Sequence, residues 1–200
     1  MWDTRFQGDT YFYGTEPNDF LKAHAHDFVP QGQILSLAEG EGRNAVYLAQ
    51  QGYAVTAVDA SQVGLVKAQR LAQERRVSIT THHCDLRDFD LGENVWDGII
   101  AIFCHLPPEL RTLVNQRIVK ALKPQGLYLS ETYSKKQLGM GTGGPPTLEL
   151  LHDLEEMKRE LTGLEWLHAA EIQRDIHEGQ GHRGRGWVIQ LIGRKFPSLT

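Results

Sequence analysis

Residues 34–59 read ILSLAEGEGRNAVYLAQQGYAVTAVD, and the fold turns on this stretch. The apolar run 34–38 has the length of a buried strand and breaks into Glu39-Gly40-Glu41-Gly42, a tight turn. Over 44–51, Ala45, Leu48 and Ala49 recur with helical spacing; Gly52 stops that helix, and 54–58 is a second strand-like run ending at Asp59. Strand, glycine turn, helix and strand form a βαβ unit, which makes the two strands parallel.

Downstream, Ser61 is a plausible N-cap for a helix to about Arg75, with Val63, Val66, Leu71 and Ala72 available for burial. The spacing predicts a third strand over 77–82 and a fourth over 96–104, the latter apolar enough to be covered on both faces. Pro108 opens a helix stopped by Leu122-Lys123-Pro124-Gln125-Gly126, and 127–132 is a fifth strand. Residues 134–146 carry four glycines and two prolines, a composition for a mobile cover. Thr147 is expected to cap a charged amphipathic helix to about Leu161, with 153–160 facing water. Strands over 165–176 and 186–195, joined by a turn over 177–185, are expected to pair antiparallel. Residues 1–33 form an accessory segment with Trp2, Phe6, Tyr11, Phe12, Tyr13 and Phe20, and with 134–146 they are expected to form a lid. With no repeat and no linker, the chain reads as a single α/β domain over 1–200 whose core is 34–200.

Two hundred residues, 40% hydrophobic and 23% charged, suffice for one core and exclude disordered or fibrous classes. Lys plus Arg total 21 against 25 Asp plus Glu, a net charge of −4, so no global basic field exists to hold nucleic acid. The most apolar stretch, 98–104, is too short to span a bilayer, and 1–10 lacks a basic start before an apolar core. The expectation is a cytoplasmic protein, monomer or homodimer, without membrane or nucleic-acid partners. Cys84 and Cys104 alone do not indicate a disulfide framework.

A glycine turn lets backbone amides approach a ligand, and Asp59 at the end of the next strand can accept bonds from both hydroxyls of a ribose. Together they point to a nucleoside cofactor. Gly40-Glu41-Gly42-Arg43-Asn44-Ala45 also satisfies the dinucleotide pattern G-x-G-x-x-A. Glu39 and Glu41, however, would repel a pyrophosphate and favour a cation. S-adenosyl-L-methionine carries a sulfonium and an ammonium and no phosphate. A nicotinamide-dependent oxidoreductase and a cofactor-binding module without catalysis stay open as alternatives.

With Tyr13-Gly14-Thr15-Glu16-Pro17-Asn18-Asp19-Phe20-Leu21, Ala38 to Ala45, Asp85-Leu86, Ile102-Phe103-Cys104-His105-Leu106-Pro107-Pro108 and the Gly-Pro-rich loop, the chain resembles class I S-adenosylmethionine-dependent methyltransferases. Within that class it resembles the small tellurite-resistance and thiopurine-type branch over nearly its whole length. The resemblance implies a three-layer Rossmann-like fold: a seven-stranded, mostly parallel sheet in the order 3-2-1-4-5-7-6 with a C-terminal antiparallel hairpin. It further implies that Gly40 and Gly42 approach the methionine moiety, Asp59 holds the ribose, and Asp85 with the Leu86 backbone reads the adenine. Ala38, Glu39, Asn44, Ala60 and Phe103 complete the implied cofactor set. Ser36 stands where an Asp usually occurs and Ala38 where the first glycine is expected; Glu39 would replace the missing charge near the ammonium.

His105, just past the fourth strand, lies where ligands of open α/β sheets bind, and is a candidate catalytic residue with Tyr13 and Arg183. A structural His105 bonding a loop carbonyl stands as the alternative. Cys104 reads as a small buried apolar residue. His82-His83-Cys84 cannot easily share an ion, since neighbours on a strand point to opposite faces, and no metal is expected; His24 and His26 read as solvated. Tyr11, Phe12 and Tyr13 either fold over the cofactor or pack inside an accessory helix. Arg183 and Arg185, placed in the last turn, either hold an anionic substrate or form a solvated tip. The expected reaction is direct in-line methyl transfer to a small molecule. The acceptor is expected to be a thiol or a chalcogen oxyanion such as tellurite, and a soft acceptor already ionised at neutral pH, such as a thiolate, selenolate or reduced tellurium species, would need no general base.

Overall fold

A computed structural model describes residues 2–197; Met1 and 198–200, the outermost parts of the expected domain and lid, lie outside the described residues. Two short helices, α1 (Trp2–Phe6) and α2 (Asp19–His24), precede β1 (Gln33–Leu37), α3 (Arg43–Gln50), β2 (Ala54–Asp59), α4 (Gln62–Glu74), β3 (Thr80–His83) and β4 (Trp96–Ile102). There follow α5 (Pro108–Ala121), β5 (Leu122–Tyr133), α6 (Leu154–Glu160), β6 (Leu164–Glu178) and β7 (His182–Lys195). The seven strands form one sheet in the order β3-β2-β1-β4-β5-β7-β6. β1 to β5 pair in parallel, while β7 runs antiparallel to both β5 and β6.

Alternation along the central strands divides the core. Ile34, Ile100, Ile102 and Leu129 face one side, with residues of α2, α3 and α4; Leu35, Leu37, Ile99, Ala101 and Tyr128 face the other, with residues of α5 and α6. Ser61 caps α4 as its position implies, its Oγ accepting from Gly64 N at 3.0 Å. β3 begins at Thr80 rather than at residue 77, because Val77 N bonds Ala72 O and closes the end of α4.

Two expectations are corrected. The helix expected from Thr147 is a single 3-10 turn, Leu148–Leu150, followed after a break by α6, which Asp153 caps by accepting from Glu155 N and Glu156 N at 3.0 Å each. The interruption has a cause: His152 N donates to Tyr133 O and Lys135 N to His152 O, so the end of β5 draws this backbone into an extended bridge. Residues 177–185 are also no turn. Past one register shift between Trp166 and His168, β6 and β7 stay paired out to Glu178↔His182, leaving a turn of 179–181. No helix among the described residues is long and apolar enough to cross a membrane.

Candidate functional site

The sheet order reverses between β1 and β4, and ligands of open α/β sheets bind beyond the carboxyl ends of the strands at such a switch point. Both strands end there in left-handed backbone on a residue with a Cβ: Ala38 and Phe103 each have φ of 51°. Each such residue costs on the order of 1–3 kcal/mol and persists only where the surroundings enforce it. Backbone bonds do so here, Glu39 N to Val58 O at 3.2 Å and Phe103 N to Glu131 O at 2.7 Å.

The two glycines of the turn serve different neighbours. A Cβ on Gly42 (φ 97°) would lie 2.6 Å from Cα of Ala68, so this glycine lets α3 lie against α4. A Cβ on Gly40 would meet only the Phe6 ring, at 3.3 Å. Gly40 therefore faces the space above the turn, which α1 covers. Asp3 on α1 accepts from Ser61 Oγ at 2.5 Å and Phe6 is buried beneath it. Buried Asp59 binds Gly40 N at 2.8 Å and Ser61 N at 2.7 Å, fastening the turn to β2, and burial raises its carboxyl above the ordinary value.

The turn's other acids do not act as the sequence suggests. Glu39 is buried, and its Oε1 accepts from the backbone N–H of both Asn44 and Ala45 at 3.0 Å, while its other oxygen takes the hydroxyl of Ser36. It caps the N-terminus of α3. Glu41 pairs with Lys67 at 2.7 Å and accepts from Phe12 N at 2.7 Å, tying the N-terminal segment to the turn. Neither carboxylate is free to act as an open negative charge, which corrects the electrostatic argument drawn from composition.

Behind the turn lies a buried polar network. Arg43 meets Glu178 at 2.6 Å; Arg174 bonds Glu131 and Glu178; Gln190 donates to Glu131 at 2.6 Å. Asn18 completes it, donating to Glu131 at 2.7 Å and Glu178 at 2.9 Å, while its backbone N–H reaches Asn44 Oδ1 at 2.9 Å. Two arginines face two glutamates, so the charges balance, and the Asn44 side chain serves the network.

Beyond the ends of β4 and β5 lies a cluster of Phe103, His105, Tyr133, His182 and Tyr13. Ring centroids are 4.2 Å apart for Phe103–His182, 4.5 Å for Tyr13–His182, 4.7 Å for Phe103–Tyr133 and 5.8 Å for His105–Tyr133. His152 stands edge-on to His105 at 5.2 Å. Burial lowers the basicity of three imidazoles, with His105 pushed down to about 4 and His152 and His182 well below the usual value. Cys104 is buried, and its thiol is pushed up to about 12, which removes it as a nucleophile at neutral pH.

Ala38, Glu39, Gly40, Gly42, Asn44, Asp59 and Phe103 thus gather at the switch point. Ala60 is exposed, and its carbonyl accepts from His83 Nε2 at 3.1 Å. Asp85 is exposed with Oδ1 on Arg87 N, and Leu86 is buried. His105 and Tyr13 join the aromatic cluster. Arg183 does not: His182 points inward from β7, and Arg183, next on the strand, is exposed. Sequence reasoning missed Tyr133, His152 and the Asn18–Glu131–Arg174–Glu178 network. A lone acid inside Leu127-Tyr128-Leu129-Ser130-Glu131 was the available signal for the network; nothing local marks His152.

The sheet order and the turn at its switch point define a Rossmann-like α/β fold. Residues 34–126 match the family described as a methyltransferase domain. A 2-heptyl-1-hydroxyquinolin-4(1H)-one methyltransferase of Mycobacteroides abscessus is 28% identical over 139 residues, 68% of this chain and 59% of that protein. The chain spans about half to three fifths of the curated relatives it matches first. Among solved structures, a chain from the conversion of a disulfide bond into a thioacetal group during echinomycin biosynthesis superimposes with a TM-score of 0.78 at 16% identity, covering 99% of this chain and 89% of that one. TehB from Haemophilus influenzae gives 0.72 at 20% identity over 88% of this chain and 61% of its own. These structural likenesses establish the fold.

Proposed function

We propose that the chain is an S-adenosyl-L-methionine-dependent methyltransferase acting on a small molecule. The observation that carries this reading is Glu39 on the N-terminus of α3. In dinucleotide-binding folds a pyrophosphate sits on the free N–H groups there; here the Glu39 carboxylate already holds those of Asn44 and Ala45. A cofactor with a nucleoside and no phosphate suits a turn closed in this way. The methyltransferase-domain match over the same residues supports the same choice.

The residues fit that cofactor. The Gly40 backbone with Ala38 and Phe103 would flank its amino-acid end, Asp59 its ribose, and Ala60, Asp85 and the Leu86 backbone its adenine. When bound, it supplies a methyl group on a sulfonium. The chain's part is to align an acceptor and exclude water, an orienting effect that can amount to roughly 7–11 kcal/mol. The family resemblance suggests a thiol or a chalcogen oxyanion such as tellurite as acceptor, and the fold likeness to TehB is consistent with that branch. The curated relative is named for a hydroxylated heteroaromatic acceptor, which suggests a second class.

Asp59→Asn tests the site. A hydrogen bond to a charged group is worth about 1.5–3 kcal/mol, so the variant should bind S-adenosylmethionine roughly 10- to 100-fold more weakly by calorimetry. Unchanged affinity in a folded variant would remove Asp59 from the site.

A further inference from the structure

Three polar atoms in the aromatic cluster are buried without a partner among the described residues: Tyr133 Oη, His105 Nε2 and His182 Nδ1. Buried polar groups are as a rule hydrogen-bonded, so three orphans around one set of rings mark a place made for a polar ligand. The roles of one are fixed. His105 Nδ1 lies 2.8 Å from Leu150 O, a carbonyl that can only accept, so Nδ1 carries the hydrogen. Because burial keeps the ring neutral, Nε2 presents a bare lone pair.

We propose that this cluster is the acceptor site, and that it takes an uncharged aromatic hydroxyl compound whose O–H is held on His105 Nε2. The inference rests on the methyltransferase reading and deepens it. The shape fits, since Phe103, Tyr133 and His105 are nearly parallel, within 19–30° of one another at centroid separations of 4.7–6.5 Å, a stack that a further aromatic ring can join. The charge fits as well. Arg43 and Arg174 are neutralised by Glu131 and Glu178, and Arg5 at the rim is held on the Tyr13 hydroxyl and over the Trp2 and Phe12 rings. An oxyanion brought to the three orphan atoms would be desolvated among paired charges, with Arg5, which has no carboxylate partner among the described residues, out at the exposed rim on Tyr13.

Three separate segments close the site. Tyr13 lies against His182, Gln180 N donates to Phe12 O at 2.8 Å, and the 134–146 loop bonds β7 through Arg183 N to Thr142 O at 3.1 Å. Gly143 has φ of 130° and sits on Tyr133 so closely that a Cβ would collide with the tyrosine hydroxyl.

The step balances. The hydroxyl oxygen bonds the methyl carbon; the carbon–sulfur bond breaks with its pair passing to sulfur, which becomes a neutral thioether. The hydroxyl proton moves to His105 Nε2, so the positive charge leaves sulfur and arrives on the imidazole. A weak base suffices, because the oxygen becomes acidic as the methyl group bonds to it.

The test pairs binding with turnover. Catechol and naphthol are compared with benzenethiol and tellurite, following S-adenosylhomocysteine formation, and naphthol binding is followed separately by calorimetry without methyl donor. His105→Asn keeps a donor for Leu150 O and removes the Nε2 lone pair. It should lower kcat on catechol by roughly 100-fold, with a loss on ionised benzenethiol at least tenfold smaller, and leave affinity for S-adenosylmethionine within about threefold. Tyr133→Phe should weaken naphthol binding by roughly tenfold, one hydrogen bond's worth. Turnover of tellurite in preference to catechol, an equal loss on both acceptors in His105→Asn, or S-adenosylmethionine binding with no binding or turnover of a hydroxyl compound would each overturn the assignment. Failure to bind S-adenosylmethionine would instead strike the reading beneath it.

Discussion

Ala38 keeps a left-handed backbone where a glycine would sit without strain. Ala38→Gly is therefore expected to raise stability by about 1 kcal/mol, seen as a Tm gain of roughly 2–4 °C in thermal melts; a lower Tm would show that the Cβ is needed for packing. The sequence showed this position as a departure from a glycine pattern, but no sign marks Phe103, since an aromatic residue carries no preference for positive φ. The two turn glutamates teach the same lesson. Their charge was legible; their partners were not, because Lys67 lies on the next helix and the amides of Asn44 and Ala45 become donors only once α3 forms. Lys67→Met leaves Glu41 buried and unpaired and should cost about 3–5 kcal/mol in chemical denaturation, whereas a loss below about 1 kcal/mol would mean the pair is solvated.

At the scale of elements, α1 lies over the turn that the cofactor reading assigns to ribose and amino acid. Burial of Phe6, worth about 1.5–3 kcal/mol, and the Asp3–Ser61 bond hold it there, so losing the Phe6 contact alone is expected to favour the uncovered form by roughly 10- to 100-fold. Deleting residues 2–6 should raise the association rate of S-adenosylmethionine by that factor in stopped-flow, while turnover falls as water enters; an unchanged rate would show that α1 leaves the site open. Elements with strong periodicity or caps, β1 through α5, were legible. The helix expected from Thr147 failed because a distant strand recruited its backbone, and the expected 177–185 turn failed because strand pairing carried a polar, glycine-rich stretch into β7. Both are tertiary effects that local pattern does not contain.

The whole molecule is held together across its sheet edge by Asn18, Glu131, Arg174 and Glu178, which join the N-terminal segment to β5 and β6. Its acid stability depends in part on neutral buried histidines. Below pH 6.5 the unfolded chain takes a proton on His105 that the folded chain refuses until about pH 4, so folded stability falls with pH across that window, by about 3 kcal/mol from this group. His105→Asn should flatten the unfolding free energy against pH between those limits; an unaltered slope would mean the ring is solvated. The sheet order was legible only through family resemblance, since alternation of strand and helix gives parallel pairing but not which strands are neighbours. The account stands on Glu39 closing the phosphate seat of α3, and paired calorimetric titrations of the intact protein with S-adenosylmethionine and with NADH test it most directly. Saturable one-to-one binding of the first with no heat from the second is the expected result; tight NADH binding with no response to S-adenosylmethionine would contradict it.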